Sequence, residues 1–228
     1  MNLNSRLIGV VQFPGSNCDQ DALWVLRELG LRSEYVWHKQ TDLDGYDGLF
    51  LPGGFSFGDY LRAGATAATS PVVDSLKEYV LTGKPVIGVC NGFQILCEAG
   101  ILPGALMTNS EGKFICKDVW LTPINWKSRW TKGLTGPIRI PIAHGEGRFV
   151  DPDGIVDGDW NRRAAFQYCE SDGTVTPNSA PNGSEMAIAG VLNEAGNVLG
   201  MMPHPERGVK PRLIDPLCAQ ILRNGFAA

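Results

Sequence analysis

The chain has 228 residues, 43% hydrophobic and 19% charged, the balance of a globular protein with a full-sized core, which excludes disorder and fibrous repeats. Its 20 basic and 24 acidic residues give a formal charge of -4 with no basic stripe, so a protein that grips a phosphate backbone is disfavoured and the ligand is expected to be small or proteinaceous. A single α/β domain can reach roughly 200 to 250 residues, so one domain over 1–228 is expected.

The N-terminal apolar run 7–13 is broken by Gln12 and followed by Pro14. It is too short for a signal sequence or a membrane span, and a cytoplasmic chain is expected. Six scattered cysteines without a C-x-x-C read as reduced thiols. Asn182-Gly183-Ser184 reads as a turn rather than a glycosylation acceptor.

In chain order, 7–13 has the nearly continuous apolar pattern of a parallel strand covered on both faces and ends at Pro14-Gly15. Ala22, Val25, Leu26 and Leu29 then recur at helical spacing and stop at Gly30, a glycine C-cap. Two strands follow at 33–37 and Gly48–Leu51, the second ending abruptly in Pro52-Gly53-Gly54. The spacing predicts a helix over 71–82, with Ser70 as cap, Pro71 in its first turn, a stripe of Val72, Leu76, Tyr79 and Val80, and Gly83 closing it. Residues 85–89 form another buried strand that runs into Cys90-Asn91-Gly92 and a helix stopping by Gly100. This alternation predicts a parallel sheet. Beyond it, 114–121, 138–143, Ala164–Cys169, 186–192 and 198–202 are strand-like, with few helical windows and a hairpin connection at 193–197. Ile214, Leu217, Cys218, Ile221 and Leu222 close the chain at helical spacing. The expected class is α/β: an open, mostly parallel sheet flanked by helices, with additional strands in the C-terminal half.

Gly88-Val89-Cys90-Asn91-Gly92 has the form G-x-C-x-G at a predicted strand-to-helix junction, the setting of a nucleophile elbow with cysteine in place of serine. The turn needs small neighbours so that backbones approach closely, and it lifts the central side chain off the sheet. The helix behind it favours a thiolate and aims backbone N–H groups at a developing oxyanion. A cysteine without such surroundings is more often a small buried hydrophobe, the reading kept for the other five. A thiol nucleophile needs a base. His204 lies just past a predicted strand in Pro203-His204-Pro205-Glu206, where the prolines stop the sheet. In an extended segment Glu206 projects the same way and can orient the imidazole. His38 follows a strand with no chemical neighbours, so it belongs to the surface or core. His144, in Ala143-His144-Gly145-Glu146-Gly147-Arg148, is placed in a flexible polar loop within reach of substrate or partner.

Pro52-Gly53-Gly54 offers either a second oxyanion donor, because glycines let a main-chain N–H approach a ligand closely, or an ordinary tight turn. Neither common phosphate-cradling loop is present, and no H-E-x-x-H or close Cys/His cluster has metal-ligand spacing. No cofactor or metal is therefore expected in this chain. Lys127, Arg129 and Lys132, interleaved with Trp126 and Trp130, could make a basic aromatic patch; a solvated face or a partner contact suits the acidic total better.

These motifs resemble those of the class I, triad-type glutamine amidotransferases: Gly88-Val89-Cys90-Asn91-Gly92-Phe93-Gln94 their nucleophile motif, Leu51-Pro52-Gly53-Gly54 their oxyanion strand, Pro203-His204-Pro205-Glu206 their His-x-Glu motif. Longer blocks are similar to the glutaminase subunits of phosphoribosylformylglycinamidine synthases, and they run from residue 13 to 207. They are Phe13-Pro14-Gly15-Ser16-Asn17-Cys18-Asp19, the stretch from Gly53 through Asp59 to Arg62, Ala143 to Arg148, and Gly200 to Arg207.

The resemblance implies a flavodoxin-like fold in which Cys90 attacks the glutamine amide, releasing ammonia and leaving a γ-glutamyl thioester that water hydrolyses. His204 would shuttle protons and Glu206 hold its tautomer, with oxyanion donors at the backbone N–H groups of Gly54 and Asn91 and with Gln94 near the substrate. It implies further that the ammonia passes to a large synthetase subunit, which uses ATP to convert formylglycinamide ribonucleotide to its amidine in purine biosynthesis. A small bridging subunit often accompanies the two. Residues 55–69, with exposed-looking Phe55, Phe57 and Tyr60, and residues 144–149 are the expected docking surface. Two rival readings are a stand-alone cysteine hydrolase such as a γ-glutamyl hydrolase, and a non-enzymatic redox-sensing module on a similar fold. The second would have no need of His204 and Glu206 at the Cys90 site.

Overall fold

The computed structural model describes residues 5–125, 127–209 and 215–227. Trp126 and Ile214, which entered the readings above, lie outside them. The elements are β1 (Leu7–Gln12), α1 (Asp19–Glu28), β2 (Arg32–Trp37), β3 (Gly48–Leu51), α2 (Pro71–Leu81), β4 (Val86–Val89), α3 (Asn91–Glu98), β5 (Ala105–Thr108), β6 (Ile115–Pro123), β7 (Ile138–His144), β8 (Glu146–Val150), α4 (Ile155–Gly158), α5 (Trp160–Arg163), β9 (Ala164–Cys169), β10 (Ile188–Leu192), β11 (Val198–Met201), α6 (Pro205–Gly208) and α7 (Pro216–Ala227).

A nine-stranded sheet runs in the order β2-β1-β3-β4-β11-β10-β9-β6-β7. The half from β2 to β11 is parallel, as the apolar runs predict. Its inner strands β3, β4 and β11 are buried at every residue, whereas β2, at the edge, is largely exposed. The additional strands extend it antiparallel from β10 to β7, and β10 joins β11 through the hairpin expected at 193–197. Ile8, Val10, Leu49, Leu51, Val86 and Val89 are fully out of water, each such side chain contributing about 1.5–3 kcal/mol on burial. Helix α1 lays Ala22, Val25 and Leu26 on this core, and Gly30 takes φ +80° just past its end, the left-handed position a glycine C-cap supplies.

Several local expectations are corrected. Ser70 stands at the α2 cap position, but its side chain makes no capping bond; its carbonyl accepts from the N–H groups of Val73 and Asp74 instead. Strand β10 starts at Ile188, because Glu185–Ala187 forms a 3₁₀ turn with Met186 at φ +52°. Strands β5 and β8 were not foreseen. They pair with each other outside the main sheet, and such short, polar-ended segments cannot be told from loops by periodicity. The preference for a solvated face over a basic aromatic patch agrees with the exposure of Lys127 and Lys132 and with the full burial of Trp130, whose ring lies 5.8 Å from that of Phe226. Gly183 does sit in a turn at φ +78°, yet Asn182 is buried, donating to the Gly147 carbonyl and the Tyr168 hydroxyl.

Candidate active site

Four of the five parallel strands, β1, β3, β4 and β11, lead into the loops that build the site, and crevices beyond the carboxyl ends of such strands are where α/β sheets bind ligands. After β4 the chain turns through Cys90 at φ +51°, ψ -107° and enters α3 at once. Few non-glycine residues adopt such a backbone, and it persists only where the surroundings impose it. Here they do. The Cys90 N–H donates to the Met201 carbonyl at 2.8 Å. A Cβ on Gly92 would collide with the Leu51 carbonyl, and one on Gly88 would lie 2.7 Å from the Gly92 carbonyl oxygen. Glycine on both sides is what lets α3 press against β3 and β4. The Cys90 side chain, 6% exposed, points its thiol toward the Ala143 carbonyl at 3.7 Å.

His204 reaches the same place from β11. Its N–H donates to the Pro141 carbonyl at 2.9 Å, which ties it to β7. The segment is not extended as expected: Pro205 starts the short helix α6, and Glu206 lies in its first turn. Proline at the first helical position loses nothing, since that N–H has no helical partner. The outcome for the pair is the one expected, with His204 Nδ1 2.6 Å from Glu206 Oε1 and both side chains buried. Because a carboxylate can only accept, Nδ1 carries the hydrogen and Nε2 is the basic nitrogen. Burial by itself would depress this imidazole; the adjoining Glu206 carboxylate, with the Cys18 and Cys90 thiols beside it, holds it well above the ordinary histidine range.

Cys18, read from sequence as a structural thiol, belongs to this cluster. Its Sγ, a His204 nitrogen and a Glu206 oxygen lie within 4.8 Å of one another, and Arg207 donates to the sulfur at 3.2 Å while also pairing with Asp21. A Cβ on Gly53 would sit 2.7 Å from His204 Cε1, 3.1 Å from Cys18 Sγ and 3.4 Å from Cys90 Cβ, so Gly53 is the floor on which all three side chains meet.

A cavity of about 140 Å³ opens beside Cys90, lined among others by Gly54, Asp59, Gln94, His144 and Glu146. Gln94, one turn into α3, accepts from Asn91 Nδ2 at 3.0 Å and donates to the Glu146 carbonyl. Asn91 also accepts from the Ser56 N–H at 3.2 Å, which fastens the 55–59 loop to the elbow. At the start of α3 the Asn91 N–H belongs to the helix turn that has no internal acceptors, and Gly54, at φ +154°, borders the same space. His144 is not in a flexible loop. It ends β7 at 3% exposure, with Nδ1 3.1 Å from Asn109 Oδ1, and burial together with the nearby His204 pulls its pKa down to about 4. His38 belongs to the core side of its two readings, packed against Phe13, Trp37 and Phe57.

The sequence matches the model of the CobB/CobQ-like glutamine amidotransferase domain over residues 6–215. The chain belongs to that family. Among its relatives, the phosphoribosylformylglycinamidine synthase subunit PurQ of Thermosynechococcus vestitus is 51% identical over 210 residues, 90% of this chain and 87% of the relative. PurQ of Thermus thermophilus is 49% identical over 205 residues, 88% of each. The structure of PurLQS from Thermotoga maritima contains a chain that superposes with a TM-score of 0.86 at 42% identity, covering 97% of this chain and 98% of that one.

In this amidotransferase the motif residues Cys90, His204, Glu206, Gly54, Asn91 and Gln94 converge on one crevice. Sequence reasoning missed Cys18, Asp59 and Glu146. No spacing could have singled them out, since they come from the loops after β1 and β3 and from the start of β8. Of the expected docking surface, Phe55, Tyr60 and Leu61 are exposed, but Phe57 is half-buried against Phe13 and His38. Residues 144–149 are the end of β7 and most of β8, with His144, Gly147 and Phe149 buried and Gly145, Glu146 and Arg148 half-buried, so only part of that stretch faces outward.

Proposed function

We propose that this chain is a glutaminase that hydrolyses the side-chain amide of glutamine and supplies the ammonia to a large synthetase subunit, which converts formylglycinamide ribonucleotide to its amidine with ATP. A small bridging subunit completes the complex. The observation that carries the reading is Cys90, lifted out of the sheet on a strained elbow beside a histidine whose tautomer is set by a buried carboxylate. Relatives named as PurQ subunits of phosphoribosylformylglycinamidine synthase match it along nearly their whole length, and this supports the choice of synthetase.

In the reaction, His204 Nε2 takes the proton of the Cys90 thiol as Sγ attacks the amide carbon. The backbone N–H groups of Gly54 and Asn91 receive the developing oxyanion. His204 then returns the proton to the nitrogen, the C–N bond breaks, and ammonia leaves a γ-glutamyl thioester. Water, deprotonated by the same imidazole, cleaves the thioester to glutamate and restores the thiol. Glu206 stays ionised and stabilises the imidazolium that forms in each half. ATP and any cofactor belong to the synthetase in this reading. It also makes the chain cytoplasmic; among the described residues, no helix is long and apolar enough to cross a membrane.

The test is Cys90→Ala in the complex reconstituted with its synthetase. Glutamine-dependent synthesis should disappear while ammonia-dependent synthesis persists; glutamine turnover by that variant overturns the assignment. An isolated chain as fast as the complex would favour a self-sufficient hydrolase.

A further inference from the structure

The cavity beside Cys90 is wider than the reacting amide alone requires, and its far wall is acidic. Asp59 and Glu146 both border it, and no lysine or arginine lines it. Asp59 ends the 3₁₀ turn Ser56–Asp59 with a left-handed backbone, φ +53°, and its Oδ1 is buried with no hydrogen-bond partner. The Glu146 carboxylate accepts a long bond, 3.4 Å, from the Ala63 N–H. Burial and the neighbouring Glu146 charge push Asp59 up to about 6, as expected of a part-buried carboxylate beside a like charge. Arg62 feels the Glu146 charge but is held by Glu98, and it does not line the cavity.

An independent observation concerns His144, on the same wall. Its Nδ1 is committed to Asn109 Oδ1, an oxygen fixed as acceptor because the Asn109 amide nitrogen donates to the Lys113 and His144 carbonyls. Nδ1 therefore carries the hydrogen and Nε2 is a lone pair, buried and without a partner. The unmet polar groups of this wall are thus acceptors only. What they lack is a cationic ligand with several N–H donors.

We propose that Asp59 and Glu146 bind the α-ammonium of the substrate glutamine, with His144 Nε2 as a further neutral acceptor. The inference rests on the glutaminase reading and adds a specificity rule to it: the enzyme selects the free amino acid by its charge at the end remote from Cys90. The loop position fits this task. Asp59 is fastened to the elbow through the Ser56–Asn91 bond, and the Glu146 backbone to α3 through Gln94. The two carboxylates thus keep register with the nucleophile, which is how binding remote from the reacting bond becomes useful for orienting it.

The experiment compares glutamine with glutaramate, the same amide without the α-ammonium, in the complex with the synthetase subunit. The wild type should prefer glutamine in kcat/KM by about ten- to a hundredfold, the range spanned by a hydrogen bond to a charged group. Asp59→Asn and Glu146→Gln, both close in shape to the residues they replace, should each erase about tenfold of that preference by raising KM for glutamine, with circular dichroism confirming the fold. An unchanged preference in both variants overturns the subsite, and it is also the result expected if the carboxylates hold product ammonium instead. A wild-type complex that turns over no glutamine overturns the glutaminase reading itself, so the two failures are distinct.

Discussion

Replacing Gly92 with alanine tests whether the packing of α3 on β3 is what holds the elbow in place. The added Cβ would collide with the Leu51 carbonyl oxygen and lie 2.7 Å from its carbon and 2.9 Å from Leu51 Cβ. Overpacking a core costs about 1–3 kcal/mol. The obstructing atoms here are main chain of a strand paired on both sides, which cannot yield as a flexible side chain would, so the cost should reach about 3 kcal/mol. For a chain of this size that lowers Tm by about 6–12 °C. If α3 backs away instead, Cys90 moves with it, and a displacement near 1 Å is enough to cost about a hundredfold in rate. Thermal denaturation followed by circular dichroism and glutamine-dependent turnover in the complex measure the two effects. Gly136→Ala is the control, because a Cβ there meets nothing within 4 Å. A Gly92→Ala protein with wild-type Tm and wild-type turnover would refute the argument that backbone proximity at this glycine sets the elbow.

His204→Ala should lose about 10²–10⁴-fold of glutaminase activity, the usual contribution of a general base. Glu206→Gln should lose less, because an amide still fills the site and accepts from Nδ1; equal retention of activity in both variants would remove the triad. By NMR titration, the His204 imidazole should protonate above the ordinary 6.5 and His144 only near 4, and Glu206→Gln should lower the former by removing the charge that raises it. Asp59→Asn should stabilise the protein at neutral pH. The folded carboxyl takes its proton at about 6 rather than 3.8, so its destabilising effect is absent at acid pH and grows as pH climbs through that range. Solvent screening of this half-exposed group brings the gain to about 1 kcal/mol, or about 2–4 °C in Tm, and asparagine also tolerates positive φ better. A lower Tm for this variant at pH 8 than at pH 5, relative to wild type at each pH, would contradict the sign.

Local pattern alone was enough to place the parallel half of the sheet. Strands buried on both faces must be apolar almost throughout, so β1, β3 and β4 show as nearly continuous runs, and the glycines and prolines after β1 and β3 mark where the chain leaves the sheet. For the same reason the elbow was legible: a turn that must pass between two backbones needs glycine on both sides of its central residue, and Gly88 and Gly92 bracket Cys90 in sequence. His204 and Glu206 were paired correctly on a mistaken local geometry, because a helical turn begun at Pro205 brings the two side chains together as an extended segment would. Nothing local marks β5 and β8, whose pairing joins segments about forty residues apart. Nor does anything local separate the Cys18 thiol from the other cysteines, or bring Asp59 to Glu146. Those juxtapositions arise because β1 and β3 pair side by side and because β7 and β8 carry Glu146 to the mouth of the same crevice. The candidate nucleophile is thus written in a five-residue turn, while the surroundings that would choose its substrate exist only once distant loops have been gathered at one end of the sheet.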